Sequence, residues 1–542
     1  AAGLEKDLHV VFESGTYFLR EPLVLEARDG GTDARRVVYR AAEGAKVLIS
    51  GGVQVTDWKK VSGGLWSAPL SEGLTSVREL FVAGQRRPRA RFPDTGYLRV
   101  EKVGKDRRTN FTCRPGDLDD RKFVGGELLF LHDWSISRIP IRSVDRASRR
   151  ITLTHSAGSA AKHYAMDHFE KHPRYAIEGL ASLIDVPGEW AVDERRILYK
   201  PRTGEKINSF TAIVPVQKKL LTVRGAEGQP VRNIHFQNLH FAHCLWEPPS
   251  GGYASGQATV HEQRGGSKNP TRRIMIDPAI SFDFAEDCSW SGGSIAHLGG
   301  SGLWVRRDCH RFDLSDLHVH DVSGNGLMIG TMADHGEKKT TSEVSLAGSR
   351  IERCGVQYFG AVGIWAGITR KTRITHNTVR HLPYTGISLG WRWNPADTSA
   401  QQQTVSHNHI HHVMQTLSDG GGIYTLGKQP GSVLGTNHIH DIPTNAGRAE
   451  SNGMFLDQGT MGFTIRGNLI HGVAKSPLRF HQAMTNTAEG NFWRLAKGKP
   501  EIRYNNTKPQ RITKKNNKVL NDRQLREMIK VFSAKTGPKA ER

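Results

Sequence analysis

Asp419, Glu450 and Asp457 are the acids whose type and spacing suit cleavage of a glycosidic bond. That reaction ordinarily takes two carboxyl groups, ~5–5.5 Å apart when configuration is retained and ~6.5–9.5 Å apart when it is inverted. Asp419 precedes Gly420-Gly421-Gly422, where the missing side chains would let a sugar approach the backbone. Glu450 stands three residues before Gly453, the phase Asp419 has relative to Gly422. Asp457 follows Met454-Phe455-Leu456 and faces outward if Met454 faces in. Position alone pairs Asp419 with Glu450, about one strand spacing (~5 Å) apart. Seven strand residues, ~23 Å if extended, separate the Glu450 and Asp457 phases. Asp457 therefore reaches Asp419 only if a turn intervenes around Asn452-Gly453 or in the glycine run. Each acid has a plainer competing role, capping a turn or accepting backbone N–H groups.

Sugar rings present apolar faces, so aromatic platforms are expected beside such acids. Trp391 and Trp393, with Arg392 between them, follow Gly390; Tyr424 and Phe455 take outward positions on successive coils. Trp365 lies one or two coils away, and packing in the core is the alternative for the tryptophans. Arg479 and His481 follow on the next coil, where a guanidinium fork would match a sulfate or carboxylate. His411, His440 and His471 each sit three residues after an asparagine, so their order follows a repeat and stacking explains them better than metal binding. No HExxH or clustered carboxylate motif is present, and no metal or cofactor is expected.

Residues some thirty positions apart meet only on a repeating frame, and repeats define solenoids. Asp316, Ser349, Asn377, Asn408, Asn437 and Asn468 each stand one or two residues before a β-branched or apolar residue, at separations of 33, 28, 31, 29 and 31. A second strand per coil opens with glycine and an apolar residue, as in Gly326-Leu327, Gly363-Ile364, Gly386-Ile387, Gly422-Ile423 and Gly453-Met454. Alternation within the strands puts one face inside and one out. The reading is an all-β, right-handed parallel β-helix whose asparagines stack as a ladder. Residues 1–50 hold its first coils, with Ala1 to Lys6 read as the end of a capping helix. Residues 51–215 lose the repeat and read as an inserted β-rich, sandwich-like module; 216–500 form the main helix carrying the site. Residues 501–542 form a basic C-terminal cap, helical where Leu525, Met528 and Val531-Phe532 recur after the N-cap Asn521.

The chain's 542 residues, 37% hydrophobic with 58 glycines, suit such a turn-rich fold, and no apolar run approaches a membrane span. Five cysteines, with no CxxC pair, read as buried small hydrophobes. A net charge of +22 favours an anionic partner or serves solubility. The basic residues are spread rather than clustered with aromatics, which argues against nucleic acid.

The segments HVVFESGTYFLREPLVL, ISGG at 49–52, VRELFVAGQRRPRARFP at 77–93 and DVPGEWAVDERRILYKP at 185–201 resemble carbohydrate-active β-helix enzymes with an inserted β-module. SDGGGIYTLGKQPGSVLGTNHIHDI at 418–442 and NGMFLDQGTMGFTIRGNLIHG at 452–472 extend the likeness over nearly the whole chain. The set is most similar to glycoside hydrolase family 141, whose members include an α-L-fucosidase acting on pectin side chains and a xylanase. The resemblance implies Asp419 and Asp457 as the catalytic pair, and a secreted or periplasmic, monomeric hydrolase of a plant or algal polysaccharide. A fucoside in an anionic glycan is the first expectation and xylan the second. A polysaccharide lyase acting on a uronic-acid polymer and a non-catalytic glycan-binding β-helix are the alternatives.

Overall fold

The computed structural model describes residues 4–71, 74, 76–207, 209, 211–264, 273–445, 447, 448 and 450–541. They divide into two compact units: Ala1–Ser50, Lys219–Ala242 and Pro278–Arg542 form one, Gly51–Lys218 and His243–Asp277 the other.

The first unit is the parallel β-helix. Among the described residues three sheets of 13, 12 and 11 strands run its length, starting at Leu8–Phe12, Gly15–Phe18 and Leu23–Glu26 and ending at Ile512–Lys515, Lys518–Val519 and Ile502–Asn505. Inward residues stack coil on coil: Ile387, Ile423, Met454, Leu478 and Ile502 in the third sheet, and Val379, Ile410, Ile439, Ile470 and Trp493 in the second.

The asparagine ladder sets the turn between the first and second sheets. The Oδ1 of Asn437 accepts from the backbone N–H and the side-chain amide of Asn408, while its own Nδ2 donates to Asn468 Oδ1 and to the Val405 carbonyl. The same pattern links Asn377 to Asn408 and continues to Asn491 and Asn517. Each rung follows a residue in the left-handed region, among them His407 at φ 58° and Gly467 at φ 61°, so the amide satisfies groups that the turn removes from the ladder.

Three boundaries differ from the repeat-based reading. Coils continue past residue 500, because Ile502–Asn505, Ile512–Lys515 and Lys518–Val519 still pair in register with the coil before. Residues 243–277 belong to the second unit, where Tyr253–Ala254 pairs antiparallel with Ser137-Arg138. Leu4, Glu5 and Lys6 are not helical, and Ala1 to Gly3 lie outside the described residues. The C-terminal helix runs Asp522–Ser533, with Asn521 and Gln524 forming a capping box. Leu525, Met528, Ile529 and Phe532 pack with Leu469, Phe492 and Leu520, whereas Val531 is exposed.

The second unit is β-rich and antiparallel. The sandwich-like packing expected of it takes the form of a closed ring: Glu127–Leu131 pairs with both Ile136–Asp145 and Arg174–Glu178, so its main sheet returns on itself around Phe111, Phe130, Ile139, Tyr175 and Ile177. Closure removes the edge strands an open sheet would expose. The five cysteines are buried, and none is joined in a disulfide.

Candidate active site

The third sheet carries a column of outward residues, Ser388, Tyr424, Phe455, Arg479 and Arg503, in register on successive coils. Tyr424 and Phe455 point away from the core yet are buried, at 2% and 1% exposure. Their rings meet edge to face with centroids 5.3 Å apart, and the Arg479 guanidinium lies 4.1 Å from the Phe455 ring centre. They form the floor of the site, covered by neighbouring side chains rather than open as platforms.

Arg479 reports the shape of this floor. It is in register with Phe455, five residues beyond Glu450, which is ~16 Å along a flat strand and more than an arginine spans. Nevertheless its Nη1 donates to Asp419 Oδ1 at 2.6 Å and lies 3.5 Å from Glu450 Oε2. The strands bend at their glycines. A Cβ on Gly422 would meet Ile439 Cγ2 at 2.6 Å and one on Gly453 would meet Ile470 Cγ2 at 2.5 Å, so both point into the core, as do the next residues, Ile423 and Met454. Two consecutive inward positions break strand alternation and make a corner. The intervening turn on which a meeting of Asp419 with Asp457 depended is therefore present, and it is built from glycine because any side chain would collide with the core.

On the near side of the corner, Asp419 takes φ 61° and its N–H donates to the Glu450 carbonyl at 2.8 Å. Its carboxylate accepts from Arg479 and stands 3.3 Å from Arg448. Arg503 grips Glu450 through both Nη atoms, at 2.5 and 3.2 Å, and Lys475 lies 3.9 Å away. Burial alone would raise the Glu450 pKa, but the Arg503 hydrogen bond and the charges of Arg479, Arg503 and Lys475 outweigh it and hold the group below the usual carboxylate range. Glu450 is thus a fixed anion. Beyond the corner, Asp457 accepts from the Tyr424 hydroxyl at 2.6 Å and pairs with His481 Nδ1 at 2.7 Å. With 7% of its surface exposed, it is the more enclosed of the two aspartates.

The tryptophans form a file. Trp365 is fully buried, with Trp304 at 6.0 Å and Trp391 at 5.4 Å between ring centres, so it packs the frame and offers no face to a sugar. Trp391 is 8% exposed and Trp393, 4.8 Å from it, is 40% exposed. Arg392 is exposed and reaches toward Asn394. This loop adjoins the turn after Asp457, since a Cβ on Gly459 would stand 2.3 Å from the Asn394 carbonyl carbon.

Arg448, Lys475 and Arg503 were not singled out from the sequence. Arg503 had a legible signal, because it falls one coil after Arg479 in the same column. Arg448 and Lys475 lie on irregular segments between strands, where the repeat assigns no phase.

No protein-family model matches the sequence, and no curated protein matches it. Among solved structures, one named "Glycoside hydrolase" is 24% identical, with 99% of this chain and 92% of that one covered at a TM-score of 0.79. A complex of XylC with xylose is 12% identical over 93% of this chain and 81% of its own, at a TM-score of 0.49. The likeness to the first extends over both units and is one of fold.

Proposed function

We propose that this chain is a carbohydrate-active enzyme that hydrolyses a glycosidic bond, with Asp419 and Asp457 as its catalytic pair. What supports the reading is that Asp419 and Asp457, on either side of the glycine corner at Gly422 and Gly453, are each held by a side chain of one strand, Arg479 and His481. One aspartate protonates the leaving oxygen and the other attacks the sugar or activates water. Glu450 is unsuited to donate a proton, because three cations keep it ionised; it holds Arg479 in place. The solved structure named "Glycoside hydrolase", similar over nearly the full length, supports the reading.

For the substrate we favour an anionic plant or algal glycan, with a fucoside ahead of a xyloside, since Arg448, Lys475, Arg479 and Arg503 outnumber the acids on the Asp419 side. The same cations, with Tyr424 and His481 beside them, favour a polysaccharide lyase as the second reading. Incubation with a panel of purified pectic, fucosylated and xylan fragments tests both. Released reducing sugar that is lost in Asp419→Asn and Asp457→Asn supports hydrolysis, whereas an unsaturated product absorbing in the ultraviolet establishes the lyase instead.

A further inference from the structure

On the second sheet, away from the acids, two columns of imidazoles alternate with the inward isoleucines. His409 and His438 occupy one column; His411, His440 and His471 occupy the other. Stacking explains the columns: His409 lies over His438 with planes 12° apart, and His440 lies parallel to both His411 and His471. Stacking does not explain the contacts between columns. His409 Nε2 lies 2.8 Å from His440 Nε2, and His438 Nε2 lies 2.9 Å from His471 Nε2. Ring nitrogens of His409, His438 and His440 all fall within 4.8 Å of one another.

We propose that His409, His438 and His440 form a binding site for one divalent transition metal of the zinc, cobalt or nickel class. Two features carry it. First, His440 Nδ1 sits 2.8 Å from Asp441 Oδ2; a neutral imidazole facing a carboxylate must carry its proton on that nitrogen, so its Nε2 presents a lone pair to the cluster. A carboxylate behind the ligand nitrogen is the arrangement that orients metal-binding histidines and raises their basicity. Second, His438 is 2% exposed and its Nδ1 has no hydrogen-bond partner, leaving this buried ring incompletely used by the apoprotein's contacts.

The dimensions are compatible. Zinc holds imidazole nitrogens ~2.0–2.1 Å away, which sets three such nitrogens about 3.3 Å apart. The 2.8 Å pair opens slightly and the widest pair closes by rotation of the rings. His409 shifts its Nε2 proton to Nδ1 through solvent, so no net proton is lost. Nitrogen donors exclude calcium and magnesium as the natural occupants. Phe532 of the C-terminal helix, 6.1 Å from His438, forms one wall.

Full-length protein without an affinity tag, stripped with chelator and dialysed, is titrated with Co²⁺ and followed by visible absorption. One equivalent per chain should produce ligand-field bands that Zn²⁺ abolishes by displacement, and Zn²⁺ should raise the melting temperature. The double variant His409→Asn/His440→Asn should lose both responses. Should that variant fail to fold, the exposed Asp441→Asn should bind about 10- to 100-fold more weakly. Absence of bands in the wild type, or the same bands in the double variant, would falsify the site.

Discussion

Arg479 Nη1 donates to Asp419 Oδ1 at 2.6 Å while its guanidinium lies against the Phe455 ring. One side chain thus ties the acid before the glycine corner to the floor beyond it. Arg479 is 8% exposed and Asp419 20% at the side chain, and removing one partner of a largely buried pair costs about 3–5 kcal/mol. Arg479→Gln should lower stability to urea by roughly 3 kcal/mol and abolish turnover. Arg479→Lys should recover part of the stability but little activity, because one ammonium cannot both stack flat and serve two carboxylates. Full activity in the lysine variant would remove the fork from the argument.

Asp457 is held from two sides, by Tyr424 and His481. Asp457→Asn keeps the shape and can still accept the Tyr424 hydrogen bond, so the melting temperature should change little. Turnover should fall by about 10²–10⁴-fold, the scale of a lost general acid or base. Tyr424→Phe should give a smaller loss, since it leaves the carboxylate positioned by His481 alone. Unchanged kcat in the phenylalanine variant would mean that the hydroxyl does not position Asp457.

The corner itself can be tested without touching an acid. In Gly453→Ala the new methyl would lie 2.5 Å from Ile470 Cγ2 and 2.6 Å from the Pro477 carbonyl oxygen. The isoleucine can shift but the backbone cannot do so easily, so overpacking of about 1–3 kcal/mol is expected, together with a displaced Asp457. The measurement is the paired change in urea midpoint and kcat. A destabilised variant with unchanged kcat would separate the bend from the chemistry.

The coil frame was legible because the ladder is sequence-local: every asparagine stands two residues before the apolar residue that its turn delivers to the second sheet. Exposure was not legible. Tyr424 and Phe455 have outward phase yet are buried, because Arg479 and the next ring cover them, and Trp365 is enclosed by tryptophans from other coils. Alternation tells which side of a strand a residue occupies, not what lies above it. The bend at Gly422 and Gly453 was posed by the sequence only as a condition, since a glycine before an apolar residue fits a strand as well as a corner. Residues 243–277 read as part of the main helix yet belong to the second unit, because antiparallel pairing there follows no period that would set them apart.

The ladder makes a separate stability prediction. Asn437→Ala removes a buried amide and leaves the Asn408 N–H, the Val405 carbonyl and Asn468 Oδ1 short of partners. Each unsatisfied buried group costs about 1–3 kcal/mol. A loss of several kcal/mol is expected, as a lower chemical-denaturation midpoint. Asn437→Asp should rescue little, because the carboxylate accepts but cannot donate to Val405.

Acid should weaken the helix through its histidines before its carboxylates. Burial first, then neighbouring imidazoles, depresses His411 and His438 to about 2; burial also lowers His440 to about 4, against an opposing bond from Asp441. Unfolded, each titrates near ~6.5. Between those values the unfolded chain binds protons that the folded chain refuses, so stability must fall as pH falls. The contribution is complete above ~6.5. It declines as pH drops toward about 4 for His440 and continues to decline below that for the other two. Each histidine adds a slope of up to about 1.4 kcal/mol per pH unit, and Glu450, whose pKa is also lowered, joins only below the ordinary carboxylate range. Urea midpoints of chelator-treated protein should therefore fall steadily from pH 7 to pH 5, and His438→Gln should flatten the slope. A midpoint constant over that interval would mean that the imidazoles accept protons in place, with the columns opening to water while the coils stay folded.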